Sequence, residues 1–311
     1  MKVVFMGTPE FAVPSLKKIL EAGYDVLAVV TQPDKPKGRG KKIIFPPVKQ
    51  FALENNIKVL QPDKLKDNID FVDKLKDLSP DFIIVVAYGK ILTEAILNLP
   101  SYGCINVHAS LLPKYRGAAP INWAIIKGEK ETGITTMYMD KGLDTGNMLL
   151  KKSIPIFDDD DAETIHDKLA ILGGDVLIET IDKLIKGLLK PVKQKDEEAS
   201  YAPILNKSMG LIDWSKNAVD IRNKIRGMCP WPGCYTFYEG LMLKIWKADV
   251  KIDDSNNESG KILKSDNELI IKCGCDALKI LEIQSEGTRK MSIEEYLRGH
   301  NITKGTVLKG K

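Results

Sequence analysis

At 311 residues the chain exceeds the usual single-domain size, so two domains are expected, each able to bury a core. Hydrophobic residues at 43% and charged residues at 28% describe an ordinary soluble globular protein. No apolar run approaches the roughly 20 residues of a membrane span, no signal-peptide architecture opens the chain, and five cysteines fall far short of a disulfide scaffold.

A reducing, cytoplasmic setting away from membranes is therefore expected. Net charge is only +4 and unevenly spread: residues 206–311 hold 18 Lys and Arg against 14 Asp and Glu, leaving 28 against 28 in residues 1–205. That excess modestly favours a polyanionic partner for the C-terminal part.

Lys2-Val3-Val4-Phe5-Met6 is a short apolar strand, and Gly7-Thr8-Pro9 turns it into a helix that reaches Glu21 and closes at Gly23. Asp25 to Val30 is a second buried strand, so the chain starts β-α-β with a parallel sheet. One glycine in the first turn, where a dinucleotide site wants Gly-x-Gly-x-x-Gly, argues against NAD. Residues 32–42 carry two prolines, two glycines and five cationic side chains against one Asp, which predicts a mobile loop with a positive field. Helices near 47–55 and 67–78 flank a short strand around Val59. The run Phe82 to Ala87 reads as a central strand that turns at Tyr88-Gly89.

The run from Gly103 to Pro120 is the centre of the chain. An apolar stretch ends in Asn106 and His108, two residues apart, and enters a turn-rich segment, so both side chains leave the end of a strand on one face. An Asn amide beside an imidazole can hold a developing oxyanion and handle a proton, as acyl transfer requires. Neither is a good nucleophile, and the chain has no Gly-x-Ser-x-Gly elbow, which favours direct transfer over a covalent enzyme intermediate.

Beyond it, a helix is expected over 121–127, a strand over 133–139 and a helix over 163–186, with the acidic run Asp158 to Asp161 as capping charge. Asp144-Thr145-Gly146 is also the aspartic-protease triplet, but that chemistry needs two carboxylates sharing a proton and the chain has one copy. Residues 190–200 are polar and aperiodic, an interdomain linker. A helix near 218–228 and five short alternating strands then predict a small barrel, an architecture that often carries nucleic acid. Cys229, Cys234, Cys273 and Cys275 lack the paired spacing of a zinc knuckle.

Asn106-x-His108, Ser110-Leu111-Leu112-Pro113 and Arg116-Gly117-Ala118-Ala119-Pro120 together resemble the signature of the 10-formyltetrahydrofolate-dependent formyltransferases. The run Met139-Asp140-Lys141-Gly142-Leu143-Asp144-Thr145-Gly146 matches the family's downstream loop, so the resemblance gives Asp144 the third catalytic role beside Asn106 and His108. It also implies that Tyr88, Gly89, Ser110, Leu111, Leu112 and Pro113 line a folate pocket, and that Arg39 sits where a basic loop engages a tRNA acceptor stem, with Lys35, Lys37, Lys41 and Lys42 beside it.

The expected organisation is α/β: a Rossmann-like, open, mostly parallel sheet with helices on both faces over residues 1–187, a linker over 188–205, and a small OB-like β-barrel that binds tRNA over 206–311. The implied reaction moves the formyl group of 10-formyltetrahydrofolate, a co-substrate, to the amino group of methionine on initiator methionyl-tRNA, with a monomeric enzyme and no metal. A nucleotide-linked amino sugar is the rival acceptor, kept open by Asn122-Trp123 after the Ala-Pro step. A glycinamide ribonucleotide formyltransferase fits less well, because such proteins resemble the first domain alone. The intact Asn106, His108 and Asp144 set argues against a non-catalytic folate- or RNA-binding protein.

Overall fold

The computed structural model describes residues 1–37 and 42–308. In chain order the strands and helices are β1 (Lys2–Gly7), α1 (Val13–Glu21), β2 (Asp25–Val30), β3 (Lys35–Lys37), β4 (Lys42–Ile44), α2 (Pro47–Glu54), β5 (Val59–Leu60), α3 (Ile69–Leu78), β6 (Phe82–Val86) and α4 (Glu94–Leu97). There follow β7 (Cys104–His108), β8 (Arg116–Gly117), α5 (Pro120–Ile126), β9 (Glu131–Tyr138), β10 (Met148–Pro155), α6 (Ala162–Ile185) and β11 (Tyr201–Ala202). The last are α7 (Ala218–Gly227), β12 (Cys234–Tyr238), β13 (Leu241–Lys251), β14 (Ile262–Lys264), β15 (Leu269–Lys272), β16 (Ala277–Ser285), β17 (Met291–Ser292) and α8 (Ile293–Gly299).

Two compact units result. One holds Met1–Gly117, Thr132–Ile154 and His166–Ala202; the other holds Ala118–Glu131, Pro155–Ile165 and Pro203–Lys311.

The first unit is an open seven-stranded sheet in the order β10-β9-β7-β6-β1-β2-β5. Strands β1, β2, β5, β6 and β7 run parallel, and β9 joins β7 antiparallel. Val3, Val4 and Phe5 of β1 and the whole of β6 are buried, which is why these strands read as continuous apolar runs instead of alternating. Each such side chain contributes roughly 1.5–3 kcal/mol on leaving water.

Strand order reverses between β1 and β6, and in open α/β sheets ligands lie at the carboxyl ends of strands near such a point. There Thr8 Oγ1 and Gln32 Nε2 both donate to Tyr88 O, at 3.3 and 3.0 Å, tying the ends of β1, β2 and β6 together.

Two segments depart from expectation. The basic stretch read as a loop pairs Lys35–Lys37 with Lys42–Ile44 as an antiparallel hairpin, because a ladder needs only backbone groups and no apolar side chain. Residues 190–200, read from composition as a linker, and the two residues after them are strapped to the first unit. Val192 bridges Met148, and β11 pairs in parallel with β8.

The second unit is an antiparallel sheet ordered β12-β13-β16-β15-β14, with β17 on β16, curled as a half-barrel. β13 alternates buried Leu243, Ile245 and Ala248 with outward polar residues, and α7 packs its Ile221 and Ile225 into the same core.

Candidate active site

Strand β7 is flanked by β6 and β9, so its residues alternate strictly between faces: Ile105 and Val107 on one, Asn106 and His108 on the other. Val107 meets helix α6 at Gly173, which fixes the opposite face as the one that carries the polar pair. His108 is only 6% exposed. Its Nε2 lies 3.0 Å from Tyr115 O; a carbonyl only accepts, so Nε2 carries the hydrogen and donates. That leaves Nδ1 as the ring atom free to gain or lose a proton, and it faces Asp144 Oδ2 at 3.6 Å.

Asp144 is brought there by the turn after β9. Its Oδ2 accepts from the Gly117 backbone N–H at 2.8 Å, and its Oδ1 from Asn106 Nδ2 at 3.4 Å. One Asn106 N–H is thereby turned toward the carboxylate, and the second is uncommitted among the described residues. Asn106, His108 and Asp144, 38 residues apart at the extremes, therefore form one cluster at the carboxyl end of β7.

The turn itself is tightly built. Asp140 Oδ1 accepts from Gly142 N at 2.9 Å and Thr145 Oγ1 at 2.7 Å. A Cβ on Gly146 would fall 1.8 Å from Tyr138 O, so only glycine lets the chain pass. Gly117, at φ +116°, would likewise set a Cβ 2.9 Å from Ala202 O across the β8–β11 pair.

The residues that the resemblance assigns to a folate pocket differ in burial. Ser110 O accepts from Thr135 Oγ1 at 2.7 Å and Leu112 N donates to the same hydroxyl at 3.1 Å. Leu112 O accepts from Lys151 Nζ at 2.9 Å, and Ser110 Oγ donates to Lys114 O at 2.6 Å. The Leu112 side chain is fully buried against Met137 and Met148, and the Leu112–Pro113 peptide is cis. These bonds have a simple cause: a sharp turn that leaves a sheet still has to satisfy its backbone groups. Tyr88 is also in the core, 2% exposed, its phenol pushed up to about 12 by burial. Gly89, exposed and at φ +79°, Leu111 and Pro113 remain accessible.

Lys35 is exposed on the hairpin, Lys37 and Lys42 pair across it by backbone, and Arg39 and Lys41 lie outside the described residues. Among the described residues no group of three or more His, Cys, Asp and Glu is placed to hold a metal ion. Burial holds the thiols of Cys104, Cys229, Cys234 and Cys273 up at about 12, so they are protonated near neutrality.

Composition did not point to Tyr115, Arg116 and Gln194. Arg116 sits in the signature itself, 2% exposed; Gln194 lies in the polar strap, where nothing in sequence marks it.

The family profile of formyl transferases matches residues 1–181, and that of the formyl transferase C-terminal domain matches residues 204–301. The chain belongs to the formyl transferase family. Among its relatives, the methionyl-tRNA formyltransferase of Caldanaerobacter subterraneus subsp. tengcongensis is 69% identical over 99% of this chain and 100% of that one. The methionyl-tRNA formyltransferase of Acetivibrio thermocellus is 54% identical over 99% of each.

This formyl transferase also shares its fold with solved structures. An N-formyltransferase from Helicobacter canadensis, in complex with folinic acid and dTDP-3-aminofucose, superposes with a TM-score of 0.69 at 22% identity, over 90% of this chain and 99% of that one. HypX from Aquifex aeolicus, in complex with tetrahydrofolic acid, gives 0.60 at 17%, over 98% of this chain and 50% of that one. No helix among the described residues of this formyl transferase is long and apolar enough to cross a membrane.

Proposed function

We propose that the chain transfers the formyl group of 10-formyltetrahydrofolate to the amino group of methionine on initiator methionyl-tRNA, as a monomer in the cytoplasm. Full-length identity of 69% and 54% to relatives named methionyl-tRNA formyltransferase supports the acceptor. The observation that carries the chemistry is the opening of His108 Nδ1 toward Asp144, with an Asn106 N–H beside both.

The neutral amine attacks the formyl carbon, forming a C–N bond while the carbonyl oxygen takes on negative charge. The free Asn106 N–H donates to that oxygen, a role in which one donor is worth about 3–4 kcal/mol of barrier. His108 Nδ1 accepts the proton the amine loses, and Asp144 stabilises the imidazolium that results, whose positive charge also stands beside the oxyanion. Collapse breaks the bond from the formyl carbon to N10 of the folate, and the proton gained there balances the one the amine lost.

Donor recognition draws on exposed Gly89 and on the half-buried Leu111 and Pro113, whose lack of polar side chains suits a flat pterin. For the acceptor, the hairpin that carries exposed Lys35 follows directly from the carboxyl end of the parallel strand β2. In the second unit Lys244 and Lys290 stand over the Trp246 ring at 5.6 and 5.9 Å, a cationic and aromatic pair suited to RNA. The two-part division, a catalytic region over 1–187 and a tRNA-binding region over 206–311, follows from this reading. Release of tetrahydrofolate that depends on charged initiator tRNA, with formylmethionine recovered from the tRNA, tests it; donor turnover without formylmethionine would refute it.

A further inference from the structure

The backbone of the turn that carries Asp144 is held by a side chain from outside it. Asp144 itself adopts φ +53°, in the left-handed region, where a residue other than glycine sits about 1–2 kcal/mol uphill. Such a conformation persists only where its surroundings enforce it. The carboxamide of Gln194, 4% exposed, spans this point: Nε2 donates to Asp144 O and to Gly146 O, both at 2.8 Å.

Both partners are carbonyls, so the amide can face them only with its nitrogen, and its Oε1 turns to Arg116 Nε at 3.0 Å. Arg116 is in turn fixed by Asp196 Oδ1, 2.9 Å from Nη2. Every hydrogen-bonding atom of the Gln194 side chain is therefore committed, and the amide has one orientation.

The same arginine sits in β8 between the two residues that address the cluster through their backbones. Tyr115 O sets the His108 tautomer and Gly117 N–H holds Asp144 Oδ2. Tyr115 N and Arg116 N donate to Ser200 Oγ and Ser200 O, at 2.9 and 2.8 Å, farther along the strap. Gln194 thus closes a loop of contacts: strap to Arg116, Arg116 through β8 to His108 and Asp144, and strap again to the Asp144 turn.

We infer that Gln194, clamped by Arg116, is a positioning residue for the formyl transfer proposed above, setting where the Asp144 carboxylate stands against His108 Nδ1. Its hydrogen bonds go to Arg116 and to the backbone carbonyls of Asp144 and Gly146, so it acts through the backbone of the residue whose side chain faces His108. The inference rests on the proposed function. A shift of about 1 Å in such a group is enough to lower turnover roughly 100-fold while leaving substrate binding intact.

Gln194→Met keeps length and neutrality and removes both N–H groups. Its kcat for methionyl-tRNA should fall roughly 10- to 100-fold, with KM for donor and acceptor within about 2-fold of wild type. The deciding measurement is a double-mutant cycle with Asp144→Asn. If Gln194 acts through that carboxylate, Gln194→Met should cost little further kcat once the charge is gone.

Gln194→Glu serves as a second variant whose fold is favoured, because the new carboxylate pairs with Arg116 while its other oxygen repels the two carbonyls; it should show the same loss. Wild-type protein that transfers no formyl group would refute the proposed function. Active wild type with Gln194→Met turnover unchanged, an undiminished loss in the Asp144→Asn background, or collapse of the fold in both Gln194 variants would overturn the positioning role.

Discussion

Tyr115 O accepts from His108 Nε2 at 3.0 Å, so the carboxylate across the ring, 3.6 Å from Nδ1, acts on charge and not on tautomer. Two consequences separate at this scale. Asn106→Ala removes the proposed oxyanion donor and should lower kcat roughly 10²- to 10³-fold with the fold intact, measured at saturating tRNA. Asp144→Asn keeps an oxygen to accept from Gly117 N–H but removes the charge that stabilises the imidazolium; it should be at least as damaging. Pairing the two should be far from additive, because the residues act as a unit.

Near-wild-type turnover in Asn106→Ala would reduce that residue to a hydrogen-bonded strand end. Asn106, His108 and Asp144 are legible in sequence because their chemistry and spacing survive as a motif. Gln194 is not: a single amide in a polar stretch has no periodicity, and its partners lie 48 and 50 residues away.

Whether an element can be read from sequence depends on what holds it. Strands β1 and β6 are written in apolar runs because both sheet faces are covered. Strands β8 and β11 have two residues each, too few for any period, and exist because glycine lets Gly117 approach Ala202. The β3–β4 hairpin and the 190–202 strap are polar segments ordered by backbone pairing, which composition cannot reveal.

Gly146→Ala should collapse the Asp144 turn, since its Cβ meets Tyr138 O; loss of activity out of proportion to loss of thermal stability is the expected outcome. In the second unit Lys272, 6% exposed, is neutralised by Asp253, 2.8 Å from its Nζ. The Lys272 ammonium, with the Ser255 hydroxyl, holds the Asp253 carboxyl below its ordinary value. A lowered folded-state value means that the stabilisation is present above the ordinary carboxylate range and lost as pH falls through the folded value. Asp253→Asn should therefore cost about 1–3 kcal/mol near neutrality, and its melting temperature should converge with wild type in strong acid. A gap that stays constant down to pH 2 would contradict the pairing.

At the scale of the whole molecule, the Asn106, His108 and Asp144 cluster lies at the carboxyl end of β7, and the excess positive charge lies in residues 206–311 of the sequence. Phosphate contacts release counterions, so tRNA binding should weaken as salt rises. Neutralising Lys244 and Lys290 should flatten that dependence, whereas Arg39→Ala should depress kcat/KM for charged tRNA with little change in folate affinity; unchanged tRNA kinetics across salt concentrations would make the hairpin a bystander. The account stands most directly on acceptor identity. With 10-formyltetrahydrofolate as donor, kcat/KM is measured for charged initiator tRNA, charged elongator tRNA and nucleotide-linked amino sugars. Efficient formylation of methionyl initiator tRNA with negligible turnover of the sugars is the predicted result, and formylation of an amino sugar alone would contradict it.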